Sequence, residues 1–147
     1  KKYNLDLKIV RIFNVYGPRE KLLNGNVVSN FVANALEEKN LVVFEEGKQI
    51  RTFCYISDLI EGIIRMMNSN ENSPINLGGS EEVTILELAQ KIIELSKEKI
   101  EIVFGKGKYQ KPQKLVPDIA LAYQKLEWLP LIRLEEGLKK TLEWIGG

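Results

Sequence analysis

Residues 41–67, LVVFEEGKQIRTFCYISDLIEGIIRMM, constrain the chain most, because two extended runs and a helix follow one another with almost no spacer. Leu41–Phe44 is apolar and centred on two valines; Glu45-Glu46-Gly47-Lys48 reads as a turn; the next run carries Arg51. Ser57 and Asp58 then stand where a helix N-cap belongs, and Leu59, Ile60, Ile63, Ile64 and Met67 recur behind them at helical spacing. Strands that feed directly into a helix demand a layered α/β arrangement. Arg51, between Gln49 and Phe53, sits at the mouth of that arrangement. A guanidinium there suits an anion, since its planar fork pairs bidentately with phosphate or carboxylate. The residues alone also allow an ordinary exposed strand arginine.

The same alternation runs through the rest of the sequence. Leu7–Phe13 reads as a strand buried on both faces, ended by Asn14, Tyr16, Gly17 and Pro18. Val27, Val28, Phe31, Val32, Ala35 and Leu36 form a helical stripe. Pro74–Leu77 is a short strand stopped by Gly78-Gly79. Thr84 with Glu87 is a capping box that opens a helix to about Lys97, and Ile100–Phe104 is again extended. Residues 105–117 are irregular, with Lys106, Lys108, Lys111 and Lys114 around Tyr109 and Pro112; four lysines in such a loop read as a solvated stretch. Asp118 opens a short helix to about Leu126, and Leu134–Ile145 makes the last one. No repeat or linker divides residues 1–147, so one domain is expected.

Several chemistries are excluded. There is no histidine, which rules out Ser-His-Asp and Cys-His catalysis and any histidine-ligated metal within the chain. Cys54 is the single cysteine, so no internal disulfide forms and a reducing, cytoplasmic setting is expected. A net charge of +1 gives no drive toward nucleic acid or anionic membrane, and no apolar run approaches the ~20 residues of a membrane span. Gly105-Lys106-Gly107 follows a strand, yet Gln110 and Pro112 occupy the places where a dinucleotide loop needs glycine and a helix start. None of the five tyrosines has lysine four residues later, so no phenol–ammonium pair is available for acid–base work. No catalytic residue is therefore assigned. The chain opens at Lys1 in what reads as a helix-to-strand connection, Lys1–Asp6, which suggests a piece of something longer.

Arg11-Ile-Phe-Asn14-Val-Tyr16-Gly17-Pro18, Val27-Val28-Ser29-Asn30-Phe31, Gln49-Ile-Arg51-Thr-Phe53-Cys-Tyr55-Ile-Ser-Asp58, Asn76-Leu-Gly78, Pro117-Asp118-Ile119 and Trp128 occur in that order. Together they resemble the extended short-chain dehydrogenase/reductases that modify nucleotide sugars, in particular the UDP-glucuronate decarboxylase and dTDP-glucose 4,6-dehydratase branches. The resemblance implies the C-terminal, substrate-binding portion of an extended Rossmann-type enzyme, lacking its N-terminal dinucleotide-binding half. It implies NAD, held mainly by that missing half, a UDP- or dTDP-sugar as ligand, and chemistry through a 4-keto sugar. The chain alone would then be inactive; a stand-alone, non-catalytic binding or assembly module is the alternative. Self-association of copies is expected to cover the exposed side of Leu7–Phe13.

By the same resemblance Asn14 ends the strand beside nicotinamide and touches the sugar or the diphosphate, Val28, Ser29 and Asn30 form the helix start that meets the nucleotide, and Phe44 packs near the pyrimidine. Arg51 grips the diphosphate, and Phe53, Tyr55 and Asp58 are scaffold, Asp58 as a helix cap. Two positions depart from the decarboxylase pattern. Leu115 and Val116 stand before Pro117-Asp118 where a cation is usual, with Lys114 one step earlier as a substitute point charge, and Asn26 stands where arginine is usual.

Overall fold

Residues 5–21, 25–106 and 112–147 are described by a computed structural model. The expectations for Lys1–Asn4 and for Gly107, Lys108, Tyr109, Gln110 and Lys111 lie outside these residues.

Strands and helices alternate. The strands are β1 (Val10–Ile12), β2 (Val15–Tyr16), β3 (Leu41–Phe44), β4 (Ile50–Arg51), β5 (Cys54–Tyr55), β6 (Ile75–Leu77), β7 (Val83–Thr84), β8 (Ile102–Gly105) and β9 (Lys114–Leu115). Between and after them lie the helices α1 (Val27–Leu36), α2 (Ile56–Asn68), α3 (Ile85–Ser96), α4 (Ala120–Leu126) and α5 (Leu134–Gly146). Pairing is mostly parallel: β1 with β6, β2 with β5, β3 with β8, and β4 with β9; β7 lies antiparallel on the other edge of β4.

Two apolar cores result. The larger joins α1, α3 and α5 over β3 through Phe31, Val32, Leu41, Val43, Leu88, Ile92 and Leu138. The smaller packs α2 and α4 on β6 through Leu59, Met66, Ile75, Leu77, Leu126 and Trp128. On α1, α3 and α5 the stripe at 3.6-residue spacing is what the larger core buries. On α2 the expected stripe is corrected: Ile60, Ile64 and Met67 are exposed, and Leu59, Gly62 and Met66 are buried. Helix α3 begins as its sequence requires: the Thr84 hydroxyl accepts from the Glu87 N–H at 3.1 Å, and the Glu87 carboxylate accepts from the Thr84 N–H at 2.7 Å.

Two further expectations are corrected by the fold. The first strand spans only Val10–Ile12 and is not buried on both faces, for Leu7, Ile9 and Ile12 are exposed. Its one pairing partner among the described residues is β6, and only Val10 of the strand packs into the smaller core. Asp58 does not cap α2. Helix α2 starts at Ile56, so Asp58 lies inside its first turn, and its Oδ2 accepts from the N–H groups of Leu131 and Ile132 at 2.9 and 2.8 Å. Its carbonyl also accepts from Trp128 Nε1 at 2.8 Å. The carboxylate therefore fastens the 128–132 segment to the start of α2.

Candidate functional site

A cavity of about 400 Å³ opens between α1, β3 and β4. Asn14, Asn30, Phe44 and Arg51 all line it. Each arrives from a different element: Asn14 from the turn after β1, Asn30 from α1, Phe44 from the end of β3 and Arg51 from β4. Asn14 has φ +28°, a conformation that asparagine tolerates better than most side chains, and its Nδ2 donates to the Thr52 carbonyl at 3.0 Å. That bond fixes the carboxamide beside β4. Phe44 keeps 39% of its surface exposed.

Arg51 is 5% exposed, the most buried cation in the chain's described residues. Its Nη1 donates to the carbonyls of Ile50 at 2.7 Å and Gln113 at 3.3 Å, and its Nη2 to that of Pro112 at 2.8 Å. No carboxylate pairs with it in these bonds, so its positive charge is available to the cavity it borders.

Val28, Ser29 and Lys114 are placed elsewhere. Val28 packs in the larger core and Ser29 is buried, at 0 and 2% exposure. The Val28 N–H is taken by the side chain of Asn26, the N-cap of α1, at 3.2 Å, and the Ser29 hydroxyl donates to the Asn26 carbonyl at 3.1 Å. The helix start thus satisfies these groups itself, although Gly25, Asn26 and Val27 border the cavity. Lys114 is drawn off by Glu82, its Nζ 2.7 Å from the carboxylate, in a pair that straddles β4.

The cavity also includes side chains to which sequence reasoning gave no ligand role. Asn34 lies one turn beyond Asn30, and the i, i+4 spacing of two amides beside the apolar stripe was the readable signal. Gln49 borders the cavity while donating to Glu45 Oε2 at 3.0 Å, and Leu115 lies on the wall where a cation was looked for. The lining is therefore amide-rich around one guanidinium, with Phe31, Val42, Phe44 and Phe53 as apolar walls. Such a surface takes a flat polar ring and an attached anion.

Neighbouring groups with shifted titration are structural. Burial pushes the Cys54 thiol up to about 12, with the Asp58 charge adding to it, so the sulfur is inert. Burial likewise holds the Tyr16 phenol well above its ordinary value; its hydroxyl donates to the Leu134 carbonyl at 3.2 Å. Among the described residues no three Cys, Asp or Glu side chains converge as a metal site, and no helix is long and apolar enough to cross a membrane.

Residues 1–78 match the NAD dependent epimerase/dehydratase family. The chain belongs to that family. Among curated proteins, UDP-glucuronic acid decarboxylase 3 of Arabidopsis thaliana is 43% identical over 138 residues, 94% of this chain and 40% of the relative. UDP-glucuronic acid decarboxylase 1 of Danio rerio is 44% identical over 144 residues, 98% of this chain and 34% of the relative. The solved UDP-glucuronic acid 4-epimerase of Bacillus cereus, in complex with UDP-glucuronic acid and NAD, superposes with a TM-score of 0.87 at 30% identity. That match covers 96% of this chain and 45% of that one. The chain thus spans 34–45% of the length of these relatives.

This coverage corrects several linked expectations. Nearly every residue is matched to full-length decarboxylases and epimerases, and the family match itself lies in the first part of the chain. Against the expectation of a C-terminal portion set apart from a dinucleotide-binding half, these matches take in 94–98% of this chain without singling out such a portion, and 34–45% of the relatives. With that expectation fall the inactivity expected of the chain alone, the missing Rossmann half as a partner, and the assignment of NAD to that half. Those expectations rested on absent motifs and on a resemblance read as the second half of such an enzyme.

Proposed function

We propose that this chain acts on nucleotide sugars as an NAD-dependent dehydratase, decarboxylase or epimerase working through a 4-keto sugar, and that its cavity holds a UDP- or dTDP-sugar. The observation that carries this reading is Arg51, a buried guanidinium on the wall of an amide-lined cavity. The family and the relatives' substrates support it. In this reading Arg51 holds the diphosphate, Asn30 and Phe44 hold the base, and Asn14 meets the sugar. Asn26 through Asn30 bring the positive end of the α1 dipole to the same side. Val28 and Ser29 contribute by shaping that helix start, and Lys114 through its pair with Glu82.

NAD enters the proposal as the oxidant that gives the 4-keto sugar. The described residues fit the nucleotide sugar rather than a dinucleotide pyrophosphate. Among the described residues that follow β8 the first element is β9 (Lys114–Leu115), and none is a helix start close to Gly105 whose N–H groups could cradle phosphate. A cytoplasmic location goes with the proposal and is checked by cell fractionation.

Titration calorimetry of the 147-residue chain with UDP and with dTDP tests the reading. Binding of one or both is expected, and Arg51→Ala is expected to weaken it by about 10–100-fold, the worth of one charged hydrogen bond. Failure of both nucleotides to bind, or equal binding by the variant, refutes it. Mass spectrometry of UDP-glucuronate incubated with chain and NAD separates decarboxylation from epimerisation.

A further inference from the structure

Arg51 has five N–H donors, and three are already spent on backbone carbonyls. The consecutive carbonyls of Pro112 and Gln113 span the two terminal nitrogens, and Ile50 takes the second hydrogen of Nη1. The edge formed by Nε–H and the outer Nη2–H remains, and it has the spacing that accepts two oxygens of one phosphate.

The segment that supplies those carbonyls is itself tied down at several points. Ile50 N–H donates to the same Gln113 carbonyl at 2.7 Å, and Lys114 and Leu115 pair with Ile50 and Arg51 along β4. Lys114 crosses to Glu82 at 2.7 Å. Gln113 Nε2 reaches Glu45 Oε2 at 3.4 Å, from a turn in which Glu45, Glu46 and Gly47 all have positive φ. Leu115 also borders the cavity.

We infer that segment 112–115 is the positioning element for Arg51: its carbonyls fix the guanidinium plane so that one fork is aimed at an anionic ligand. Binding of a nucleoside diphosphate and tightening of this segment are therefore coupled, each favouring the other by the same factor. The inference rests on the reading of Arg51 as the diphosphate contact and goes beyond it, because it places the determinant of that contact in backbone groups remote in sequence.

The test uses the full chain, UDP, and the variants Pro112→Gly, Arg51→Lys and the two combined. Pro112→Gly loosens the segment without removing a side-chain contact to the ligand. It is expected to weaken UDP binding about three- to tenfold, the scale of freezing one long side chain. In the Arg51→Lys background the same change is expected to have no effect, since lysine has no fork to aim. UDP should also slow hydrogen exchange at the amides of residues 113–116 in the parent chain and not in Arg51→Lys.

Circular dichroism and thermal melts establish that the variants are folded. UDP binding with unchanged exchange at 113–116, or equal weakening by Pro112→Gly in both backgrounds, overturns the inference while leaving Arg51 as a contact. Failure of UDP and dTDP alike to bind the parent chain overturns the proposed function as well; where only dTDP binds, the same measurements are read with dTDP.

Discussion

Asp58 offers the sharpest test of how the start of α2 is joined to segment 128–132. Its side chain is 8% exposed, and one oxygen accepts from two backbone N–H groups, those of Leu131 and Ile132, at 2.9 and 2.8 Å. A hydrogen bond to a charged group is worth ~1.5–3 kcal/mol net. Because both bonds share Oδ2, the lower end applies to each, and Asp58→Ala should cost about 3 kcal/mol. The position in the first turn of α2 adds up to ~1 kcal/mol through the helix dipole. Asp58→Asn keeps a carbonyl oxygen but not the charge, so its cost should be nearer ~1–2 kcal/mol. For a chain of this size these losses lower Tm by roughly 10 °C and 4 °C.

Trp128 provides an independent reporter. Its indole donates to the Asp58 carbonyl, which neither substitution removes, so native fluorescence should persist below the transition. The measurement is urea and thermal unfolding followed by both fluorescence and circular dichroism. Equal losses for Ala and Asn, or an Ala loss below ~1 kcal/mol, would refute the view that this carboxylate is the fastening point.

Gly137→Ala should be severely destabilising, since a Cβ there would lie 2.1 Å from the Tyr16 hydroxyl, which is buried and already bonded to Leu134. A drop of more than ~2 kcal/mol in urea unfolding is expected, and an unchanged midpoint would count against the packing. The Thr84–Glu87 box should impose a pH dependence on α3. Hydrogen bonds from Thr84 hold the Glu87 carboxyl below its usual range in the folded chain. Its stabilisation is thus present above the unfolded pKa and fades as pH falls through the lower, folded value. Thermal melts from pH 6 to pH 3 should show Glu87→Gln losing this part of the slope; a slope identical to the parent's would contradict it.

Local patterns settled much of this protein. The 3.6-residue stripes of α1, α3 and α5, the Thr84 box and the strand at Leu41–Phe44 are visible in the sequence because each depends on neighbours a few positions away. The ordered motifs that resemble one enzyme family, and Arg51 as a cation among them, were legible for the same reason. Tertiary structure alone decided where the long-range groups go. Asp58 looked like a cap, yet it serves segment 131–132, more than seventy positions away. Lys114 looked like a free charge, but strand pairing on β4 brings it to Glu82. Asn14, Asn30, Phe44 and Arg51 share one cavity because parallel pairing folds four separate elements together. Pairing register and side-chain direction are set by the whole core's packing, and no short window of sequence contains them.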